Sequence, residues 1–328
     1  MSGSSSAEIS SDYSVVTNVS RVKNRTNMLV TNMAAPSWDA TTSISQVGNG
    51  FELYAPLVFK HYNGWNTGIN IVNLSEGTNT VQVQFHGPTN NVMFGGTVTL
   101  ASKETKFIYI PSSGDAGLTD EFHGAAVLSG TAPFHAAVDE VKYTGSGQDV
   151  GEAMSYIATY AAAQRAWYML NPTGTGPSLS LPLVQKGSQA TGKGDTSGID
   201  LFNASASRPV TAEIMFYWPN GTPSTASIPG PLQLTLGALN TATIYTMNAS
   251  GGVIGLGNME TNFQGSAQIK PVDGRGVLVG VSNNVNYGVS GDGSAVYNLY
   301  NSWGQFRFYL SQSGVDCNHT DFPFCGAS

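Results

Sequence analysis

The chain has 328 residues, enough for about two domains that each bury a core. Only 11% of them are charged, against roughly 25% in an average soluble protein, and the formal net charge is −7. No basic face can then neutralise phosphates, which excludes nucleic acid and anionic membrane surfaces as expected partners, and no apolar run approaches the ~20 residues of a membrane-spanning helix.

The N-terminus, "MSGSSSAEISSDYS", has neither a basic nor an apolar segment of the kind that opens a secretion signal. A signal removed beforehand, or a route out of the cell such as virion proteins take, is the expectation. Residues 15–33 read as a β-hairpin whose apolar positions Val15, Val16, Val19, Val22, Met28 and Val30 form a candidate assembly arm within residues 1–49. The hairpin resembles the end of a repeat without the strands that would precede it.

From residue 50 the chain states one pattern twice. "APLVFK" at 55–60 returns as "LPLVQK" at 181–186, and "TGINIVN" at 67–73 as "SGIDLFN" at 197–203. "VQVQFHGP" from Val81 parallels "AEIMFYWP" from Ala212, "TVTLASKETKFIYI" parallels "QLTLGALNTATIYT", and "EFHGAAV" parallels "NFQGSAQ". One order kept at a drifting offset means one fold copied in tandem. Inside each copy the period is two: Val81, Val83 and Phe85 alternate with Gln82 and Gln84, as Ala212, Ile214 and Phe216 do with Glu213 and Met215. Such segments, parted by Gly, Pro, Asn and Asp clusters, predict an all-β chain of two tandem antiparallel β-sandwich domains, Ig-like or jelly-roll-like. The copies are assigned to residues 50–160 and 176–310, with a linker at 161–175 and a tail at 311–328. "EAMSYIATYAAAQRAWYML" allows a helix, but its first half aligns with "GSAVYNLY" and is read as strand, its second half as linker. "FRFYLSQS" from Phe306 is similar to the opening strand of a copy, so the chain reads as starting with the end of a repeat and finishing with the start of one.

In the tail, Cys317 and Cys325 stand eight apart. Only His319 is near, too few ligands for zinc, so the pair reads as a local disulfide suited to an oxidising compartment, with two free thiols as the alternative.

The pattern of a Pro-Leu strand, "GWNTGI" with an apolar strand ending in Asn, a Phe-x-Gly turn and a Val-rich hairpin closing on Tyr resembles the tandem β-sandwich repeats of poorly characterised secreted and surface proteins of filamentous, often thermophilic, bacteria. It spans roughly residues 50–310. The resemblance implies an extracellular sandwich array and brings no catalytic residues.

No nucleophile elbow, phosphate loop, dinucleotide fingerprint or metal-ligand spacing is present in the sequence. His123, His135, Asp120, Glu121, Asp139 and Glu140 cluster in the first copy and are expected to be solvated loop and edge residues, since the second copy has other residues there. Sequons at Asn18, Asn24, Asn73, Asn203, Asn220, Asn248 and Asn318 permit glycosylation. Tyr62, Trp65, Tyr217 and Trp218 lie at strand ends and turns, where rings stack on sugars or bury themselves in an interface; they are the candidate ligand or interface aromatics.

These observations predict a non-enzymatic structural protein without cofactor or metal, a subunit of an extracellular or cell-surface filament, sheath or layer. Its partners would be copies of itself, joined head-to-tail by strand or hairpin exchange. A phage virion protein (tail tube or capsid decoration) and a glycan-binding adhesive module are the alternatives.

Overall fold

A computed structural model describes residues 50–89, 92–112, 118–143, 151–159, 176–187, 194–286, 288 and 293–301, together with strand residues 18–23, 29–34 and 46–47. Cys317 and Cys325, and Val15, Val16 and Met28 of the arm, lie outside the described residues, as do the tail and most of the expected linker.

The chain is all-β. Strands β1 (Asn18–Lys23) and β2 (Leu29–Ala34) pair as an antiparallel hairpin with Val22 opposite Val30, and form a sheet of their own. β3 (Gln46–Val47) leads into eight strands: β4 (Gly50–Lys60), β5 (Trp65–Asn73), β6 (Asn79–His86), β7 (Val92–Leu100), β8 (Thr105–Tyr109), β9 (Phe122–Gly130), β10 (Phe134–Tyr143) and β11 (Gly151–Ile157). They make two antiparallel sheets, ordered β3-β4-β9-β6-β7 and β11-β10-β5-β8.

The second set comprises β12 (Leu179–Lys186), β13 (Thr196–Asn203), β14 (Val210–Tyr217), β15 (Leu232–Leu236), β16 (Thr241–Tyr245), β17 (Ile254–Gly255), β18 (Phe263–Gly274), β19 (Leu278–Val285), β20 (Ser294–Asn298) and β21 (Tyr300–Asn301). Its sheets run β15-β14-β18-β12-β21 and β17-β16-β13-β19-β20. Strand for strand, β4-β9-β6-β7 matches β12-β18-β14-β15, and β11-β10-β5-β8 matches β20-β19-β13-β16. In both copies the chain leaves its last strand and crosses to the other sheet, where Thr159 pairs with Tyr54 and Tyr300 with Ser180.

The repeated phrases now have physical reasons. Val81, Val83 and Phe85, like Val210, Ala212, Ile214 and Phe216, are buried on the inward face of the pleat. The Pro-Leu phrase is a β-bulge: register shifts between Ala55 and Val58 and again between Leu181 and Val184, where a proline removes a ladder donor. The closing tyrosine satisfies that bulge. Tyr156 donates its hydroxyl to the Leu57 carbonyl and accepts from the Leu57 N–H at 3.2 Å, and Tyr297 donates to the Leu183 carbonyl. The Phe-x-Gly phrase, expected as a turn, instead opens strands β9 and β18: a Cβ on Gly124 would stand 2.2 Å from the His86 carbonyl oxygen, and one on Gly265 2.1 Å from that of Tyr217, so only glycine lets the strands close there.

The strand-ending asparagines are hubs. The Asn73 amide donates to the Gly77 and Ala101 carbonyls at 2.7 and 2.8 Å, while its oxygen accepts from Ser75 N–H. Asn203 donates to Arg208 and Gly237 carbonyls and accepts from Ser205 and Val277 N–H groups. Both are fully buried, so two of the seven sequons are closed to glycosylation in the folded chain.

Candidate functional site

All eight residues of β13 are buried. Ile199 and Leu201 face the second sandwich's own core, whereas Phe202 joins Tyr54, Ala125, Val127, Val277 and Val279 in a separate apolar cluster between the two copies. The outer face of the β13–β19 sheet thus packs on the outer face of the β4–β9 sheet, and a strand covered on both sides shows no exposure alternation.

Within this interface lies a compact polar cluster. His123 Nε2 is 2.9 Å from Asp200 Oδ1, with side-chain exposures of 14% and 4%. Thr243 Oγ1 donates to the same Asp200 oxygen at 2.7 Å and stands 3.2 Å from His123 Nε2. Phe59 and Tyr62 stack at 5.5 Å beside the imidazole, and Tyr62 sits 4.8 Å from it. A hydroxyl–His–acid relay needs the imidazole to bridge hydroxyl and carboxylate through its two different nitrogens. Here both contacts fall on Nε2 and the hydroxyl gives its proton to the acid, so the cluster is a joint between sandwiches and not a nucleophile. His86, 1% exposed, lies 5.5 Å from Phe202; neither ring nitrogen has a partner, and burial lowers its pKa to about 4. It is therefore neutral at physiological pH.

The expectation of solvated polar residues is corrected in part. Asp120 is exposed and bonds His61 Nδ1 at 2.9 Å, and Glu121 is exposed at the loop turn, but Asp139 and Glu140 are 4% and 0% exposed. Asp139 accepts from Ser155 Oγ at 2.6 Å and from Asn70 at 2.9 Å. Glu140 accepts from Thr67 Oγ1 at 2.6 Å, its other oxygen has no partner, and burial raises its carboxyl well above the usual range. The second copy performs this task with uncharged groups: Ser197 donates to Asn284, and Ser197 Oγ accepts from the Gln185 N–H as Thr67 Oγ1 does from that of Phe59.

Three of the four candidate aromatics, Tyr62, Trp65 and Trp218, make ring contacts within the fold. Trp65 is 5% exposed within the first core, Tyr62 is half-buried in the cluster above, and Tyr217 is half-buried at the end of β14. Trp218 meets Phe263 edge-on at 4.8 Å and donates to Glu260 at 3.4 Å. Trp65 thus has no free face for a sugar. Glu260, held low at about 2 by bonds from Ser224, Thr225 and Trp218 against the effect of burial, is a structural anchor of the same loop. Among the described residues no group of three His, Cys, Asp or Glu side chains could hold a metal ion.

Sequence reading missed Asp200 and Thr243. A signal existed: His123 corresponds to Gln264 and Asp200 to Asn70, so the charged partners appear only on the faces that the two copies turn to one another. The converse also holds. On β18 the outward residues matching His123, Ala125 and Val127 are Gln264, Ser266 and Gln268, exposed or half-exposed. That face of the second sandwich is built for water.

One further feature distinguishes the copies. β16 is covered along its outer edge by the parallel strand β17, and Ile254, Leu256 and Met259 pack onto the core beside it. Among the described residues no strand lies on the corresponding edge of β8, where Phe107 is 51% exposed beside an open groove of about 360 Å³.

No protein-family model and no curated protein matches the sequence. Among solved structures, the crystal structure of Thermotoga maritima 1070 aligns at 10% identity over 35% of this chain and 97% of that one, with a TM-score of 0.28. A likeness at that score carries no argument about fold or function.

Proposed function

We propose that the protein is a non-enzymatic structural subunit that assembles head-to-tail through strand edges, in an extracellular or cell-surface filament, sheath or layer. The observation that carries this reading is the hairpin β1–β2, which among the described residues forms a two-stranded sheet hydrogen-bonded to neither sandwich, although β2 lies alongside β11. Strand edges that are hydrogen-bonded to no other strand among the described residues are templates for another chain. The polar outer face of β18 argues that copies do not meet by repeating the interface between sandwiches, which leaves edges as the means of contact. Low charge agrees with this, since edge contacts then desolvate few ions. The resemblance of the repeats to those of bacterial surface proteins agrees with it as well.

Electron microscopy and light scattering of the full chain beside a variant lacking residues 1–49 test the proposal. Ordered polymers from the full chain and monomers from the variant are expected. Monodisperse monomers from both would overturn it.

A further inference from the structure

The hairpin β1–β2 has the register of the hairpins that close the two sandwiches. Val19 stands opposite Met33 as Val138 does opposite Tyr156 and Ser282 opposite Tyr297. Val22 stands opposite Val30 as Val141 does opposite Ala153 and Val285 opposite Ser294. The residues agree with this register, since "VSRVK" at 19–23 matches "VDEVK" at 138–142. β2, β11 and β20 are therefore equivalent strands of three successive repeats. They also form a row. β2 lies alongside β11, and β11 lies alongside β20, where Ser294 donates its hydroxyl to Glu152 and the Asn298 amide donates to the Ile157 carbonyl at 2.8 Å. With two such neighbours, β11 has five of its seven residues buried. With one such neighbour among the described residues, β20 has none of its five buried, and Ala295 is exposed. The difference is the cover that one more strand in the row would supply.

We propose that β20 accepts the β1–β2 hairpin of a second copy, with β2 set alongside β20 as β11 is within one chain; the inference rests on the strand-edge reading above and names its donor and acceptor. The hairpin does not have to leave its own chain. β2 keeps β11 as one neighbour and gains β20 of the other molecule, just as β11 has both β2 and β20. The step that relates one repeat to the next then relates one molecule to the next. Because donor and acceptor are different surfaces, the contact is heterologous and continues into a ring or an open filament. Neither β2 nor β20 carries a charged residue, so neither strand gives up a hydrated ion on docking. Only the row of strands is continued. The face contact between sandwiches is not, because Gln264, Ser266 and Gln268 stand on β18 where His123, Ala125 and Val127 stand on β9.

Two single-ended variants test this by light scattering. Removal of residues 1–49 takes away the donor and leaves β20, and it spares both cores, whose buried residues all lie beyond residue 50. Ala295→Arg, at the exposed position of β20, blocks the acceptor and leaves the hairpin; its thermal midpoint is expected to match that of the wild type. Under conditions in which the full chain polymerises, each variant alone is expected to stay monomeric. An equimolar mixture is expected to give one-to-one heterodimers that grow no further, since each contributes the surface that the other lacks. Polymers from Ala295→Arg alone, or a mixture that stays monomeric, overturn this docking site and leave assembly through strand edges standing. Polymers from the truncated chain alone, or monomers from the full chain at every concentration, overturn both.

Discussion

Glu140 sits fully buried with one carboxyl oxygen bonded to Thr67 and the other unpartnered, a geometry that suits a neutral acid. Because burial raises its pKa well above 4.5, the folded state keeps a proton that the unfolded chain releases, and this group's contribution to stability falls as pH rises from there to its folded pKa. His86 and His135, both lowered to about 4 by burial, act in the opposite sense and only between about 6.5 and about 4, where the unfolded chain takes up protons that the fold refuses. The histidines are common to wild type and Glu140→Gln and cancel in the comparison, so wild type is expected to lose up to about 1.4 kcal/mol per pH unit relative to Glu140→Gln as pH rises from 4.5 toward the raised pKa of the carboxyl. Urea midpoints for the two proteins across that range check this. Parallel curves would mean that the carboxylate is ionised in the fold. None of this was legible in the sequence, where a polar pair near a strand end reads as solvated. The residues that reveal it, Asn283 and Asn284 at the matching positions of β19, look like ordinary polar substitutions until the register is known.

Strands were the legible level. The alternation of Val81, Val83 and Phe85 reports its own buried face, and the phrases shared by the copies fall on matching strands with matching partners. What sequence could not convey was contact across the sandwich: Tyr156 meets the bulge at Leu57 from 99 positions away, and no local pattern encodes that meeting. Nor could it show that the same strand is finished differently in the two copies, because the difference lies in what the following loop brings back. The edge of β16 is hydrogen-bonded to β17, and that of β8 faces open space among the described residues. In dilute, monomeric protein, amide exchange is accordingly expected to be faster along Thr105–Tyr109 than along Thr241–Tyr245. Hydrogen–deuterium exchange resolved by peptide would show it, and equal protection of the two strands would mean that β8 is covered.

At the scale of the whole molecule, duplication followed by divergence turned two similar sandwiches into a fixed pair. Phe202 is the largest side chain of the cluster between them after Tyr54, and the His123–Asp200 pair adds a hydrogen bond with little access to water, where it is screened weakly. The apolar part carries much of the coupling: a buried polar pair that must first be desolvated contributes little net stability, whereas truncating a buried phenylalanine costs about 3–5 kcal/mol. Phe202→Ala empties the centre of the interface and leaves Ile199 and Leu201, on the other face of β13, in the second core. Calorimetry is expected to show one cooperative transition for the wild type and one shifted to lower temperature for Phe202→Ala, because Val281 and Val285 of β19 are buried in the first core and still join the two copies. Two resolved transitions would instead mean that Phe202 alone links the unfolding of the sandwiches.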